Sequence, residues 1–144
     1  MRYTVLFSIL LFFILAGCKK DSFKTTPGLS FSKVNTTELL NGQNIQFTLS
    51  FTDAEGDIVD SIFVEKIVAD CPGSSFDQLY PIPDFPTTKD QKGDILITFG
   101  YNTGFPQVNP QCGRTETAIF RFALNDAAGN TSDTISSPPI TIVY

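Results

Sequence analysis

Two stretches of the chain concentrate side chains able to do chemistry. FTDAEGDIVD, residues 51–60, carries Asp53, Glu55, Asp57 and Asp60 between two apolar runs, and NDAAGNTSD, residues 125–133, carries Asp126, Asn130 and Asp133. Closely spaced carboxylate and amide oxygens suit a hard cation, and Ca²⁺ takes about six to eight of them at roughly 2.3–2.6 Å. Neither stretch is an EF-hand loop by itself. With Asp53 counted first, Gly56 falls fourth where that loop needs its glycine sixth, and Val64 stands where the closing glutamate belongs. The same residues also build tight turns: Gly56 and Gly129 tolerate a positive φ, and Asp53 and Asp126 can accept bonds from backbone amides two residues on. The residues leave both readings open, turn chemistry alone and a bound calcium.

Other chemistry is largely excluded. The chain has no histidine, which removes Ser–His and Cys–His nucleophilic sites and ordinary zinc sites. No glycine-rich phosphate loop follows a strand-like run. Paired carboxylates alone could do glycosidase work, but here they fall in turns, so no enzyme activity is expected. Fifteen acidic residues against ten basic ones give a formal net charge of −5, which argues against a nucleic-acid ligand.

The chain opens MRYTVLFSILLFFILAGCKK, a positive start followed by an apolar run and small residues, the layout of a secretory signal. Val5 to Leu15 is too short to cross a bilayer, which needs about 20 helical residues. Leu15-Ala16-Gly17-Cys18 resembles the lipobox of bacterial lipoproteins. That resemblance implies a signal peptide at 1–17 cleaved before Cys18, acylation (palmitate among the chains) of Cys18, and a lipidated tether over 18–28. Two or three acyl chains, at roughly 0.8 kcal/mol per buried CH₂, would hold the protein on a membrane permanently. With Cys18 committed to lipid, Cys71 and Cys112 remain as a pair, most simply a disulfide outside the cytoplasm.

The mature part reads as strands. Ile45, Phe47, Leu49 and Phe51 alternate with Gln46, Thr48, Ser50 and Thr52, and the same period recurs at Ile95, Ile97, Phe99 and Tyr101 and at Ala118, Phe120, Phe122 and Leu124. Ile58 to Val68 is apolar but mixed in phase, as in a strand with a bulge or one covered on both faces. Leu29–Val34 and Ile140–Tyr144 supply shorter strands, with a break or an edge demanded by Pro138 and Pro139. Thr36 to Leu40 has room for one helical turn and no more. Six or seven strands with polar turns predict a single β-sandwich over 29–144.

Leu124-Asn125-Asp126-Ala127-Ala128-Gly129-Asn130-Thr131-Ser132 resembles the last hairpin of immunoglobulin-like and fibronectin-like domains of bacterial surface proteins. The resemblance, together with the lipobox, implies an all-β, immunoglobulin-like sandwich of about seven antiparallel strands on a Bacteroidota-type lipoprotein. It departs from antibody domains in lacking tryptophan and in its cysteine placement. In that topology the third and sixth strands are antiparallel neighbours, so Cys71, just after one, and Cys112, just before the other, meet at one pole. The two acidic loops share the opposite pole. That would join Asp53, Glu55, Asp57, Asp126, Asn130 and Asp133 in a composite calcium site, with the tether emerging beside them.

The long connections around the cysteines hold Phe76, Tyr80, Phe85 and Phe105, expected at the disulfide pole as a surface for a protein or glycan partner or as a cover over the core. The functional expectation is a lipid-anchored protein of the cell envelope, at the outer membrane on its periplasmic face or the cell surface, that binds or scaffolds another molecule without catalysis. The alternative is an assembly subunit that pairs through exposed strand edges.

Overall fold

In residues 44–53 the alternation places Ile45, Phe47, Leu49, Phe51 and Asp53 on one buried face of a strand. That strand is β3 (Asn44–Asp53) of a computed structural model that describes residues 23–104 and 106–144, with the backbone alone at 59 and 60. The expected signal peptide at 1–17, Cys18 and Phe105 lie outside the described residues. The other strands are β1 (Gly28–Val34), β2 (Glu38–Leu39), β4 (Ile58–Ile67), β5 (Phe76–Pro81), β6 (Gln91–Gly100), β7 (Glu116–Asp126), β8 (Ile135–Ser136) and β9 (Ile140–Ile142).

Two sheets form the sandwich. One runs β1-β3-β6, and the other runs β2-β9-β7-β4-β5 with β8 also on β7. All pairings are antiparallel except β2 with β9, which is parallel. Between the sheets Phe47 packs its ring 4.8 Å from that of Phe120, 5.3 Å from Phe122 and 6.4 Å from Phe99. Tilted and edge-on aromatic contacts of this kind add to the area they bury. The expected all-β sandwich, with the third long strand beside the sixth, is the observed fold.

Several local details follow the residues. The mixed phase of 58–68 is a register irregularity between Ile58 and Ile62 on the β7 side of β4. Pro138 and Pro139 do break the final strand: β8 stops at Ser136 and β9 resumes at Ile140. Ser137 bridges the break, donating its amide to Phe120 O at 2.8 Å and accepting the Phe120 amide on its hydroxyl at 3.0 Å. Thr36–Leu40 makes no helical turn; Glu38 and Leu39 pair with Thr141 and Ile142 instead.

The largest departure concerns residues 72–94, expected as one long loop at the disulfide pole. A 3-10 turn at Pro72–Ser74 leads into β5, which pairs with β4 from Lys66↔Phe76 to Ser61↔Pro81 and so carries the chain back across the sandwich. Residues 82–90 consequently cover the acidic pole, where the Asp90 amide bonds Ala54 O at 3.0 Å.

Candidate functional site

Period two carries acids inward at the ends of two strands. Asp53 continues the buried face of β3, and Asp126 continues that of β7 after Phe120, Phe122 and Leu124; they are 0% and 3% exposed. Asp57 closes the turn between β3 and β4, whose backbone is tied to the neighbouring turn by the Ala127 amide donating to Asp57 O at 2.9 Å. One carboxylate oxygen from each of Asp53, Asp57 and Asp126 lies within 4.8 Å of the others. Two oxygens that share one Ca²⁺ at its usual distance stand no farther apart than about 5 Å.

Turn bonds occupy some of these oxygens. Asp53 Oδ2 accepts from the amides of Gly56 at 2.6 Å and Asp57 at 3.1 Å, three and four residues on instead of two. Asp126 accepts the Asn130 amide on Oδ1 and the Asn130 side-chain Nδ2 on Oδ2, both at 2.7 Å. Asp53 Oδ1 and Asp57 Oδ1 are buried and receive no hydrogen bond among the described residues. Neither does Gln91 Oε1, on the residue directly opposite Asp53 in the β3–β6 ladder. Burial, then repulsion from Asp126 and Asp53, raises the Asp57 pKa above its ordinary 3.8.

The remaining members of the expected composite set sit differently. Glu55 and Asp133 are exposed, and neither belongs to the cluster. Asn130 lies beside it and braces Asp126, its Nδ2 also reaching Thr25 O at 3.5 Å. Gln91 was invisible to sequence reasoning, since nothing in KDQKGD marks it; only the strand register puts it opposite Asp53.

Of the three described aromatic residues, Phe76 stays near the disulfide pole opposite Lys66, while β5 carries Tyr80 and Phe85 away from it. Phe76, Tyr80 and Phe85 are half-buried against the core, with Phe76 and Tyr80 at 6.2 and 5.3 Å from the Phe99 ring and Phe85 at 5.1 Å from Phe51. Tyr80 and Phe85 instead line a groove of about 500 Å³ between the edges of the two sheets, with Ile62, Ile82, Ile97 and Pro106. Strand β6 forms one wall; it pairs with β3 on one side, and among the described residues its other side is bridged at Gly100 alone, whose amide bonds Pro106 O and whose carbonyl accepts the Val108 amide, both at 3.0 Å.

Opposite the acidic pole, Cys71 and Cys112 form a disulfide with Cα atoms 6.2 Å apart. Beside it lies a group that sequence reasoning missed, Lys66 with Ser74 and Glu116, all buried. Lys66 Nζ bonds Ser74 Oγ at 2.9 Å and stands 3.5 Å from Glu116 Oε2, which also accepts from the Ser74 hydroxyl. Glu116 Oε1 accepts the amides of Gln111 and Cys112 at 2.9 and 3.2 Å. Burial alone would raise the Glu116 pKa; the Ser74 hydroxyl, the two amides and the Lys66 charge outweigh it and hold the pKa below 4.5. Burial lowers that of Lys66.

No family model matches the chain, and no curated protein matches it. Among solved structures it is similar to Spo0M, a sporulation control protein from Bacillus subtilis, at a TM-score of 0.48 and 13% identity over 83% of this chain and 50% of that one. It is also similar to a Niemann-Pick type C2 protein from Japanese carpenter ant, at a TM-score of 0.46 and 10% identity over 84% of this chain and 98% of that one. The chain thus spans half the length of the Spo0M chain. Neither likeness bears on ligand or partner.

Proposed function

We propose that the chain is a lipid-anchored, non-catalytic envelope domain that binds a partner polypeptide by adding its strand to β6 over the groove between β5 and β6. The observation that carries this reading is the outer side of β6 over residues 94–98, which flanks that groove and, among the described residues, has no strand paired to it before the bridge at Gly100. A free strand edge templates a further strand, which supplies main-chain hydrogen bonds while alternate side chains enter pockets. Tyr80, Ile82, Phe85 and Ile97 offer apolar contact for those side chains, and Leu96 and Leu79 leave 59% and 55% of their surface exposed on the strands beside it. The mainly apolar lining favours a protein over a glycan.

Anchoring rests on the lipobox-like Leu15–Cys18, and the Cys71–Cys112 disulfide fits a compartment outside the cytoplasm. The first described residues run along the acidic pole, where Lys24 O accepts the Ala54 amide at 3.1 Å. Six residues from Cys18 to Lys24 span at most about 20 Å. The acidic pole would therefore stand close to the membrane, with the disulfide pole farthest out. The long side of the sandwich, where the groove opens, would remain accessible from either neighbour.

A photoreactive residue tests this in intact cells. Placed at Leu96 it is expected to give a protein adduct, and placed at Lys33 on β1 it is expected to give none. Adducts from Lys33 alone, or from neither position, would overturn the reading.

A further inference from the structure

The structure assigns a calcium site to the acidic pole, formed by Asp53, Asp57 and Asp126, with Gln91 directly opposite Asp53 in the β3–β6 ladder. Turn chemistry explains part of the arrangement and stops there. It accounts for Asp53 Oδ2 and for both oxygens of Asp126, each of which receives a donor from its own turn. It gives no donor to Asp53 Oδ1 or to Asp57 Oδ1. A buried carboxylate oxygen without a partner is costly, because it has left water and gained nothing in exchange. All three buried side-chain oxygens or nitrogens without a hydrogen-bond partner among the described residues belong to this pole: Asp53 Oδ1, Asp57 Oδ1 and Gln91 Oε1.

Charge leads to the same place. Among the described residues, Lys66–Glu116, Arg114–Asp70 and Arg121–Glu65 form ion pairs, and none of them includes these three acids. Three carboxylates on one side of a sandwich need a counter-charge, and a divalent cation supplies two units at a single point. The donor set is all oxygen, which selects a hard cation and excludes the soft transition metals. Ca²⁺ fits better than Mg²⁺, since Asp53 and Asp126 already hold turn bonds that fix their directions, and Ca²⁺ accepts irregular geometry where Mg²⁺ demands a near-ideal octahedron. The remaining coordination positions fall to water or backbone carbonyls.

The bound ion would clamp three segments. Asp53 and Asp57 flank the β3–β4 turn, Asp126 opens the turn after β7, and Gln91 starts β6 where residues 82–90 return. Residues 24 and 25, near the start of the described chain, lie on the same two turns through Ala54 and Asn130. A single ion would therefore fix the end of the sandwich from which the chain leaves toward its tether.

Thermal melting of the mature chain with calcium chloride, magnesium chloride or a chelator tests the site. Calcium at a hundredfold excess over its dissociation constant is expected to raise Tm by roughly 5–10 °C, with magnesium clearly weaker. Asp57→Asn, which relieves repulsion without changing shape, should abolish the calcium response and leave the metal-free protein at least as stable as wild type. Glu55→Gln and Asp133→Asn, on exposed neighbours outside the cluster, should keep the full response. A wild-type Tm unmoved by calcium or chelator overturns the assignment. So does a calcium response that survives in Asp57→Asn, or one lost equally in Glu55→Gln and Asp133→Asn, which would mark diffuse surface binding.

Discussion

Glu116 and Asp126 are the first and last residues of β7, both project into the sandwich, and they meet opposite fates. At one end Glu116 finds Lys66, Ser74 and two backbone amides. At the other, Asp126 finds two more carboxylates. The strand thus joins a pole whose buried charges pair with each other to one where, among the described residues, three acids lie together. That asymmetry gives the disulfide pole a structural role and is the ground for the ion proposed at the acidic pole.

Breaking the balanced pair should be expensive. Glu116→Gln leaves the Lys66 ammonium buried without its counter-charge and is expected to cost about 3–5 kcal/mol in chemical denaturation. Lys66→Met combined with Glu116→Gln should recover much of that loss, because no charge then remains buried. The pH dependence has a definite sign. A carboxylate whose folded pKa is depressed contributes stability that is present above its unfolded value and lost as pH falls through the folded one. Wild type should therefore lose stability below about pH 4.5, and Glu116→Gln should show a shallower acid slope. Equal slopes in the two proteins would count against this account.

Two glycines at positive φ predict unequal penalties. Gly56 has φ +70, and a Cβ there would meet Thr88 O at 2.0 Å; Gly129 has φ +85 with nothing within 4 Å of its Cβ. Gly129→Ala should cost only the backbone strain, about 1 kcal/mol. Gly56→Ala must also push residues 82–90 off the pole, and a loss of roughly 3 kcal/mol or more is expected. Urea denaturation of the two variants decides it, and equal losses would mean that the 82–90 segment yields freely.

Much of the sandwich was legible because its long strands have one wet and one buried face, so Ile45 to Phe51 and Ala118 to Leu124 announce themselves by alternation. The irregularity in β4 and the break at Pro138 were legible for equally local reasons. Strand β5 was not. As an edge strand it exposes most of FDQLYP, burying none of its residues fully, and an element without a buried face has no hydrophobic period to read. Missing β5 is what misplaced residues 82–90 and, with them, Phe85. Lys66 was hidden differently: in VEKIV a lysine reads as solvent-facing, but the register of β4 on β7 sets it opposite Phe120 on the buried face, from where its long side chain reaches Glu116. Asp53 and Asp126 were recognised as turn residues, but their burial depended on extending the strand alternation one step past the last apolar residue.

The disulfide closes a separation of 41 residues, and the chain-entropy model assigns such a loop about 4 kcal/mol, less whatever structure persists in the unfolded chain. Cys71→Ala with Cys112→Ala is expected to lower stability by about 2–4 kcal/mol. The change should be local as well as global. The segment before β7 is held by this bond and by Glu116 accepting the amides of residues 111 and 112, so hydrogen exchange at those two amides should accelerate in the cysteine variant and again in Glu116→Gln. Unchanged exchange in both would show that other contacts hold the segment.

Contact surface and core cover make separable predictions along the groove. Phe85 packs on Phe51 and Tyr80 on Phe99, so their truncation removes core contacts. Phe85→Ala is expected to cost roughly 1–3 kcal/mol, below the 3–5 of a fully buried phenylalanine because the site is half open. Leu96 has a different environment, 59% exposed on the outer face of β6. Leu96→Lys should leave Tm within experimental scatter while placing a charge on the strand edge, a device that blocks strand addition. If β6 receives a partner strand, photocrosslinking from the adjacent Thr98 should weaken in Leu96→Lys and persist in a mildly destabilised Phe85→Leu. A Leu96→Lys protein that melts normally and crosslinks from Thr98 as strongly as wild type would remove strand addition as the mode of binding, and leave the groove as cover for the core.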